Sequence, residues 1–189
     1  ELGKQIHAYF KDNSQVEIVK LGHHGIRSNI PGDDISEFYR HGKRTLVVGI
    51  RKGLKFQSCK PSAHYQLPLL SGCIGQCEYC YLNTNLGDKP YMGQRECGGI
   101  LEQAGKYIEV RLPEKTIFEG SATSDPIPVE PYSHSLKQAI QYFSKTEKGR
   151  FRFATKFTDV DTLLDVDHGG HTEVRFSLNT DRVIQDFER

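Results

Sequence analysis

Residues 71–82, Ser-Gly-Cys-Ile-Gly-Gln-Cys-Glu-Tyr-Cys-Tyr-Leu, place three of the chain's five cysteines in one short loop that follows an apolar run. Cys73, Cys77 and Cys80 have the spacing CxxxCxxC, and the two glycines let the backbone wrap without steric penalty. Three thiolates so spaced can bind one face of a cubane iron–sulfur cluster and leave one iron without a protein ligand. An open iron is a place for a small chelating molecule, so the loop indicates chemistry on a bound cofactor.

A closed zinc site is the alternative interpretation of the same loop, with Cys97 or a histidine as the fourth ligand. Structural zinc sites usually join two such cysteine pairs, or one pair and spaced histidines, which this loop does not offer. A disulfide is less consistent with the pattern. The number of cysteines is odd, and three so close together suit a metal in a reducing cytosol.

Length and composition set broad limits on the protein. A chain of 189 residues is long enough for one substantial core, and 25 Lys and Arg against 24 Asp and Glu neither demand nor exclude a polyanionic partner. No stretch is long and apolar enough to span a bilayer, and the first residues lack the layout of a signal peptide. We therefore expect a cytoplasmic protein that does not enter a membrane.

The second half of the chain alternates between strand and helix patterns, which predicts βα units in a parallel α/β sheet. The predicted strands cover 64–70, 116–120, 151–157 and 173–179, and the predicted helices cover 98–111, 132–145 and 161–165. Ligands bind beyond the carboxyl ends of such strands. This predicts one rim that carries Cys73, residues 121–125, Lys156, Ser177 and Asn179. The alternation stops after about four units, as in the front half of a larger barrel.

The first part of the chain predicts a small appended unit. It shows a helix pattern over 1–12, an alternating strand over 16–19, and a turn over 30–34 in which Asp33 or Asp34 caps a short helix. The pair His23-His24 is either a metal site or an exposed turn.

Two basic clusters, 41–44 and 51–56, bracket a predicted strand over 45–50. They could contact phosphates or could be solvated strand ends.

Several motifs resemble a known family. With the aromatic residue Tyr79 immediately before its third cysteine, the loop resembles the signature of the radical S-adenosylmethionine (SAM) superfamily. Within it, the chain from about residue 25 onward resembles the spore photoproduct lyase family. The motifs that carry this resemblance are Lys-Pro-Ser-Ala (60–63), Tyr-Cys-Tyr-Leu (79–82), Lys-Pro-Tyr (89–91), Thr-Ser-Asp (123–125), Thr-Lys-Phe (155–157) and Phe-Ser-Leu-Asn (176–179).

The resemblance implies a fold and an activity. The fold is a partial (β/α) barrel of the radical SAM type over 45–189, incomplete at its C-terminal end, with residues 1–44 as the appended unit. The activity is a DNA repair lyase that reverses the ultraviolet-induced dimer 5-thyminyl-5,6-dihydrothymine through a 5′-deoxyadenosyl radical. Breaking an unactivated C–C bond in this way requires a radical cofactor. The implied partners are damaged DNA and an electron donor such as flavodoxin or ferredoxin, and the implied setting is a monomer in the germinating spore of a bacterium.

The family also implies roles for individual residues. Cys73, Cys77 and Cys80 would bind a [4Fe-4S] cluster, and SAM would chelate its fourth iron. Tyr79 would lie near the adenine. The residues that match positions holding the methionyl and ribose parts of SAM are Ser124, Lys156, Ser177 and Asn179.

One position departs from the family pattern. Ala122 stands where well-known members have a cysteine that returns hydrogen to the product radical. We therefore expect another thiol in this role, Cys59, acting directly or with Tyr81 and Tyr79 as a relay, and the adjacent Lys60 would favour its thiolate if the two side chains are near enough. Cys59 could instead be an inert buried thiol.

Two other classes of function fit the same residues. One is a radical SAM enzyme with a different substrate. The other is a non-enzymatic iron–sulfur or zinc module, which a metal-binding Cys97 would favour.

Overall fold

A computed structural model describes residues 2–20, 30–49, 55–82, 92–95, 97–120 and 122–188. The motifs at 23–24, 51–54 and 89–91 lie outside the described residues. The strands are β1 (Leu46–Gly49), β2 (Ser58–Cys59), β3 (Ala63–Gln66), β4 (Leu70–Ser71), β5 (Met92–Arg95), β6 (Thr116–Glu119), β7 (Gly149–Thr155) and β8 (Thr172–Phe176). The helices are α1 (Leu2–Phe10), α2 (Ile35–Lys43), α3 (Gly98–Val110), α4 (Glu130–Ser133), α5 (Ser135–Ser144), α6 (Asp161–Leu164) and α7 (Asp181–Phe187), and a 3-10 turn covers Ile127–Val129.

The main sheet has five strands in the order β2-β3-β6-β7-β8. The last four are parallel, as the alternating pattern predicts, and β2 pairs antiparallel with β3. The predicted strand over 64–70 is interrupted around Pro68, because proline cannot donate to a strand ladder, and its end forms β4. β4 belongs to a smaller sheet with the order β1-β5-β4.

The core lies between the main sheet and the helices α3 and α5. In β7 the side chains alternate, so Phe151 and Phe153 are buried on one face while Arg150 and Arg152 are only partly buried on the other. The phenylalanines pack with Phe118 of β6 and Phe143 of α5. This packing holds the ends of the parallel strands at a common edge.

Two predicted elements in the chain differ from the structure. Residues 16–19 form no strand, because no described strand pairs with this segment. The apolar side chains of Val16, Ile18 and Val19 are exposed. The single helix predicted over 132–145 is divided at His134, whose φ of 49° ends α4. The buried carboxylate of Glu130 then accepts hydrogen bonds from the first backbone N–H groups of α5.

Other boundaries move by a few residues. Asp34 caps α2 as one of the two predicted candidates, by accepting a hydrogen bond from the Glu37 backbone (2.8 Å). The strand β7 ends at Thr155, so Lys156 follows it, and β8 ends at Phe176, so Ser177 and Asn179 follow it. The helix α7 and the strand β5 were not predicted. No helix among the described residues has both the length and the apolar character needed to cross a membrane.

Candidate functional site

The three-cysteine loop leaves the small sheet directly after β4. Gly72 has a φ of 81°, which favours glycine, and its N–H donates to Thr123 O (2.8 Å). Gly72 also forms a parallel bridge with Ser124. These contacts place the start of the loop beside the segment that follows β6, so the first cysteine and residues 123–125 share one edge, as predicted.

Two cysteine sulfurs face the same small space beside Gly75. A Cβ atom added to Gly75 would lie 3.4 Å from Cys73 Sγ and 3.9 Å from Cys77 Sγ. The Gly75 N–H donates to Cys73 Sγ (3.3 Å), which is the kind of contact that stabilises a sulfur carrying negative charge. Cys80 is held by a turn in which its N–H donates to Cys77 O (3.0 Å). Each of the three cysteines is outside any disulfide and is partly buried.

Burial keeps the Cys73 and Cys77 thiols protonated when nothing is bound. It raises the pKa of Cys73 to about 11, with smaller contributions from Asp125 and Cys80, and it raises the pKa of Cys77. A metal centre would lower both values, because coordination deprotonates a thiol. The loop is therefore a site whose ionisation is coupled to what it binds.

Cys97 lies elsewhere. It is 3% exposed, lies in the core at the N-terminal end of α3, and its thiol is 3.7 Å from Ser135 O. Among the described residues, no three Cys, His, Asp or Glu side chains are close enough to share one metal ion. A four-iron cube, in which each thiolate binds a different iron, spaces its cysteines more widely than a single zinc ion does.

A second group of polar residues lies where the parallel strands end. Lys156 Nζ lies 2.6 Å from Glu188 Oε1 and 5.6 Å from the centre of the Tyr79 ring. Asn179 Nδ2 donates to the Tyr79 hydroxyl (2.7 Å), and both Asn179 and Tyr79 also contact the Glu188 carboxylate. Three predicted site residues therefore converge on one carboxylate, and Ser177 is at the same rim but exposed.

The electrostatics of this group favour an anion between the three donors. Hydrogen bonds from Lys156, Tyr79 and Asn179 lower the pKa of Glu188 to about 2. Burial lowers the pKa of Lys156, but the bonds to Glu188 and Tyr79 outweigh it and leave the value above the usual range. Glu188 was not predicted from sequence, since nothing in a lone glutamate after a short helix indicates such a partner.

Ser124 and Asp125 complete this edge. Ser124 is 7% exposed, and its buried hydroxyl has no hydrogen-bond partner in the described part of the chain. Asp125 accepts hydrogen bonds from Thr155 Oγ1 (2.7 Å) and from the Lys156 backbone (2.9 Å). Asp125 thus fixes the end of β7 from which the Lys156 side chain projects, a structural role that the sequence does not reveal.

Lys43 corrects the interpretation of the first basic cluster. Its side chain is 3% exposed, and its ammonium donates to the carbonyls of Cys73 and Gly75, at 3.0 Å each. It is therefore unavailable to a phosphate. Lys43 is one of the buried residues of α2. Only the three-dimensional packing places the cysteine loop in front of it.

Cys59 lies at the end of β2 and is partly buried. Its pKa is raised, first by burial and then by Glu119, with no contribution from Lys60. The expectation that Lys60 favours a thiolate is therefore wrong, and the thiol keeps its proton at neutral pH. Tyr81 donates a hydrogen bond to the carbonyl of Ala122.

A buried ionic cluster adjoins Cys59 and was not predicted. Glu119, 3% exposed, accepts a hydrogen bond from Ser62 Oγ (3.1 Å), and both Arg175 and Arg152 pair with its carboxylate. Because Ser62 lies in the turn between β2 and β3, this cluster fixes the segment that carries Cys59.

Together these features define a class of protein. It is an α/β protein whose three-cysteine loop and polar strand ends share one edge of a parallel sheet, the arrangement expected of a radical SAM protein.

Comparison with known proteins identifies the family. The sequence profile of spore photoproduct lyase matches residues 1–189, and the chain belongs to this family. It is 52% identical to a spore photoproduct lyase of Clostridium acetobutylicum and 47% identical to that of Bacillus subtilis, in each case over 99% of this chain and 55% of the relative. The chain thus spans about half the length of the curated relatives it matches.

Solved structures of the family have the same fold. A spore photoproduct lyase complexed with dinucleoside spore photoproduct matches with a TM-score of 0.93 at 46% identity, over 99% of this chain and 55% of that one. A double variant with bound AdoMet and dinucleoside spore photoproduct matches with a TM-score of 0.92 at 46% identity and the same coverage. The mixed α/β fold predicted from sequence is confirmed by these similarities.

Proposed function

We propose that this chain forms the cluster- and cofactor-binding part of a DNA repair lyase that reverses the spore photoproduct to two thymines. The observation that carries the proposal is the shared edge, where the three-cysteine loop lies beside the carboxylate-binding group of Tyr79, Lys156 and Asn179. The binding of AdoMet and dinucleoside spore photoproduct by structures of the same family supports it.

The loop fits a [4Fe-4S] cluster held by Cys73, Cys77 and Cys80. The sulfurs of the first two face one space, and the glycine between them leaves that space free of a side chain. When bound, the cluster and SAM would supply a 5′-deoxyadenosyl radical, which is the chemistry that breaking a C–C bond without a leaving group requires.

The polar strand ends fit the SAM molecule. A methionyl carboxylate is chemically equivalent to the Glu188 carboxylate, which Lys156 and Asn179 already bind, and Tyr79 beside them would lie near the adenine. The cofactor would therefore displace Glu188 from these donors. The buried Ser124 hydroxyl, which has no hydrogen-bond partner among the described residues, would be satisfied by a polar group of the cofactor, and Ser177 lies at the same rim.

Cys59 is proposed as the hydrogen donor to the product. Its raised pKa keeps the S–H bond intact at neutral pH, and a hydrogen atom, not a proton alone, must be transferred. The S–H bond breaks as the new C–H bond of thymine forms, which leaves a thiyl radical. Hydrogen would then return from the cofactor to Cys59 by way of Tyr79 and then Tyr81. The Tyr81 hydroxyl lies beside Ala122, to whose carbonyl it donates a hydrogen bond.

The finer description of the protein is part of the same proposal. Residues 45–189 would be the front four βα units of a (β/α) barrel that further chain completes, with 1–44 as an appended unit. The length of the relatives supports this. Damaged DNA would be the substrate, flavodoxin or ferredoxin the electron donor, and the cytoplasm of a germinating spore the setting for a monomer.

The test is anaerobic reconstitution of the full-length protein with iron and sulfide, followed by electron paramagnetic resonance with and without SAM. We expect a four-iron signal that SAM changes, and thymine as the product from dinucleoside spore photoproduct. A Cys73→Ala variant is the matched control and should lose both results. If SAM leaves the electron paramagnetic resonance signal of the reconstituted wild-type protein unchanged, the proposal is contradicted.

A further inference from the structure

Lys43 is a buried cation that the proposed reaction does not use directly. A lysine at the end of a helix ordinarily extends to water, and burying its ammonium costs several kcal/mol unless the charge is compensated. The carbonyls of Cys73 and Gly75 accept two of its three N–H donors at 3.0 Å, and the Tyr39 ring centre lies 5.2 Å from it. These contacts hold the ammonium against the backbone of the cysteine loop.

The three cysteines of the loop lie close enough to act on this charge. Burial lowers the pKa of Lys43, and the sulfurs of Cys73, Cys80 and Cys77 oppose that effect in this order. The same environment acts on Tyr39, whose pKa is raised by burial, then by Cys80 and Cys73. The ammonium therefore lies against the loop whose three sulfurs would carry negative charge together in a metal centre.

We infer that Lys43 is a positioning residue for the iron–sulfur cluster: its ammonium fixes the Cys73–Gly75 backbone and places a positive charge beside the thiolates. The inference rests on the proposed function, because it requires a cluster in the loop. Reduction adds an electron to the cluster, and a nearby cation in a dry environment stabilises the more negative form. Lys43 therefore makes the cluster easier to reduce.

The experiment is a redox titration of the reconstituted full-length protein, followed by electron paramagnetic resonance. Lys43→Met keeps the length of the side chain and removes its charge and donors. We expect the equilibrium constant for reduction to fall at least tenfold, which moves the midpoint about 59 mV to more negative potential. Lys43→Arg retains the charge and should stay near wild type. Lys4→Met, which removes an exposed lysine of α1, is the control and should show no shift.

A purely structural role makes a different prediction. If Lys43 only pins the loop, Lys43→Gln, which keeps an N–H donor without the charge, should have the wild-type potential. If the charge matters, it should shift like Lys43→Met. The thermal midpoint supplies a second readout, since loss of a compensated charge should lower Tm more in the loaded protein than in the protein without metal.

Each outcome decides the matter. An unchanged potential in both neutral variants overturns the inference, as does an equal fall in Tm with and without the cluster. If the neutral variants take up no cluster while Lys43→Arg does, the charge is required for assembly and the inference stands. If all three variants fail to load, Lys43 is a packing residue and the inference is wrong. Failure of the wild-type protein to load would instead refute the proposed function.

Discussion

Substituting Gly75 by alanine tests whether a cluster occupies the space between the cysteine sulfurs. The added methyl group would lie 3.4 Å from Cys73 Sγ, 3.9 Å from Cys77 Sγ and 4.0 Å from the Phe157 ring, which are ordinary van der Waals distances. Gly75 is not among the glycines with positive φ, so alanine causes no backbone strain. The metal-free protein should therefore be as stable as wild type, or more stable by about 0.4–1 kcal/mol through the unfolded chain.

The cluster-loaded protein should behave in the opposite way. A methyl group beside both sulfurs takes space next to the ligands, and changes around metal ligands typically cost about 10- to 100-fold in affinity. We expect Gly75→Ala to retain less iron and sulfide after gel filtration than wild type, with an unchanged metal-free Tm. Gly98→Ala is the matched control, because apart from its chain neighbours and its own helix backbone no heavy atom of the described residues lies within 4 Å of the added Cβ. Full iron content in Gly75→Ala would refute the placement of the cluster, and a lower metal-free Tm would refute the steric reasoning.

Four further predictions concern other residues. Cys97→Ser should leave iron and sulfide content unchanged, because its thiol lies in the core, and loss of the cluster would indicate a fourth ligand. Lys156→Ala should weaken SAM binding about ten- to a hundred-fold, because it removes a charge-assisted hydrogen bond. Equal affinity of the two proteins in a binding titration would contradict this. Cys59→Ala should replace clean thymine formation by radical adducts in product analysis, and undiminished repair would exclude the role. Burial raises the pKa of Glu130 from 4.5 to about 7. The stability that its protonated side chain contributes is therefore fully present below pH 4.5 and is lost as pH rises through 7. The free energy of unfolding, measured in urea, should fall by roughly 3 kcal/mol over this pH range, and Glu130→Gln should abolish the fall. An equal fall in that variant would argue against the assignment.

Local patterns predicted most of the parallel sheet, because alternation and helical spacing depend on near neighbours. β6, β7, β8 and α3 lie within a few residues of their predicted places. The strand predicted at 16–19 failed because alternation cannot supply a partner strand. The helix predicted over 132–145 was divided because the Glu130 carboxylate, two residues before the predicted start, captures the N–H groups of α5.

The cysteine spacing and the family motifs by themselves predicted the kind of site, since three cysteines within eight residues need no distant information. Tertiary structure alone decided what surrounds them. Lys43 reaches Cys73 from 30 residues away, and Glu188 reaches Lys156 from 32 residues away. Such pairs depend on how helices and strands pack, and packing is cooperative over the whole chain. The sequence therefore determined the chemistry of the ligands, and the fold determined the charges that act on them.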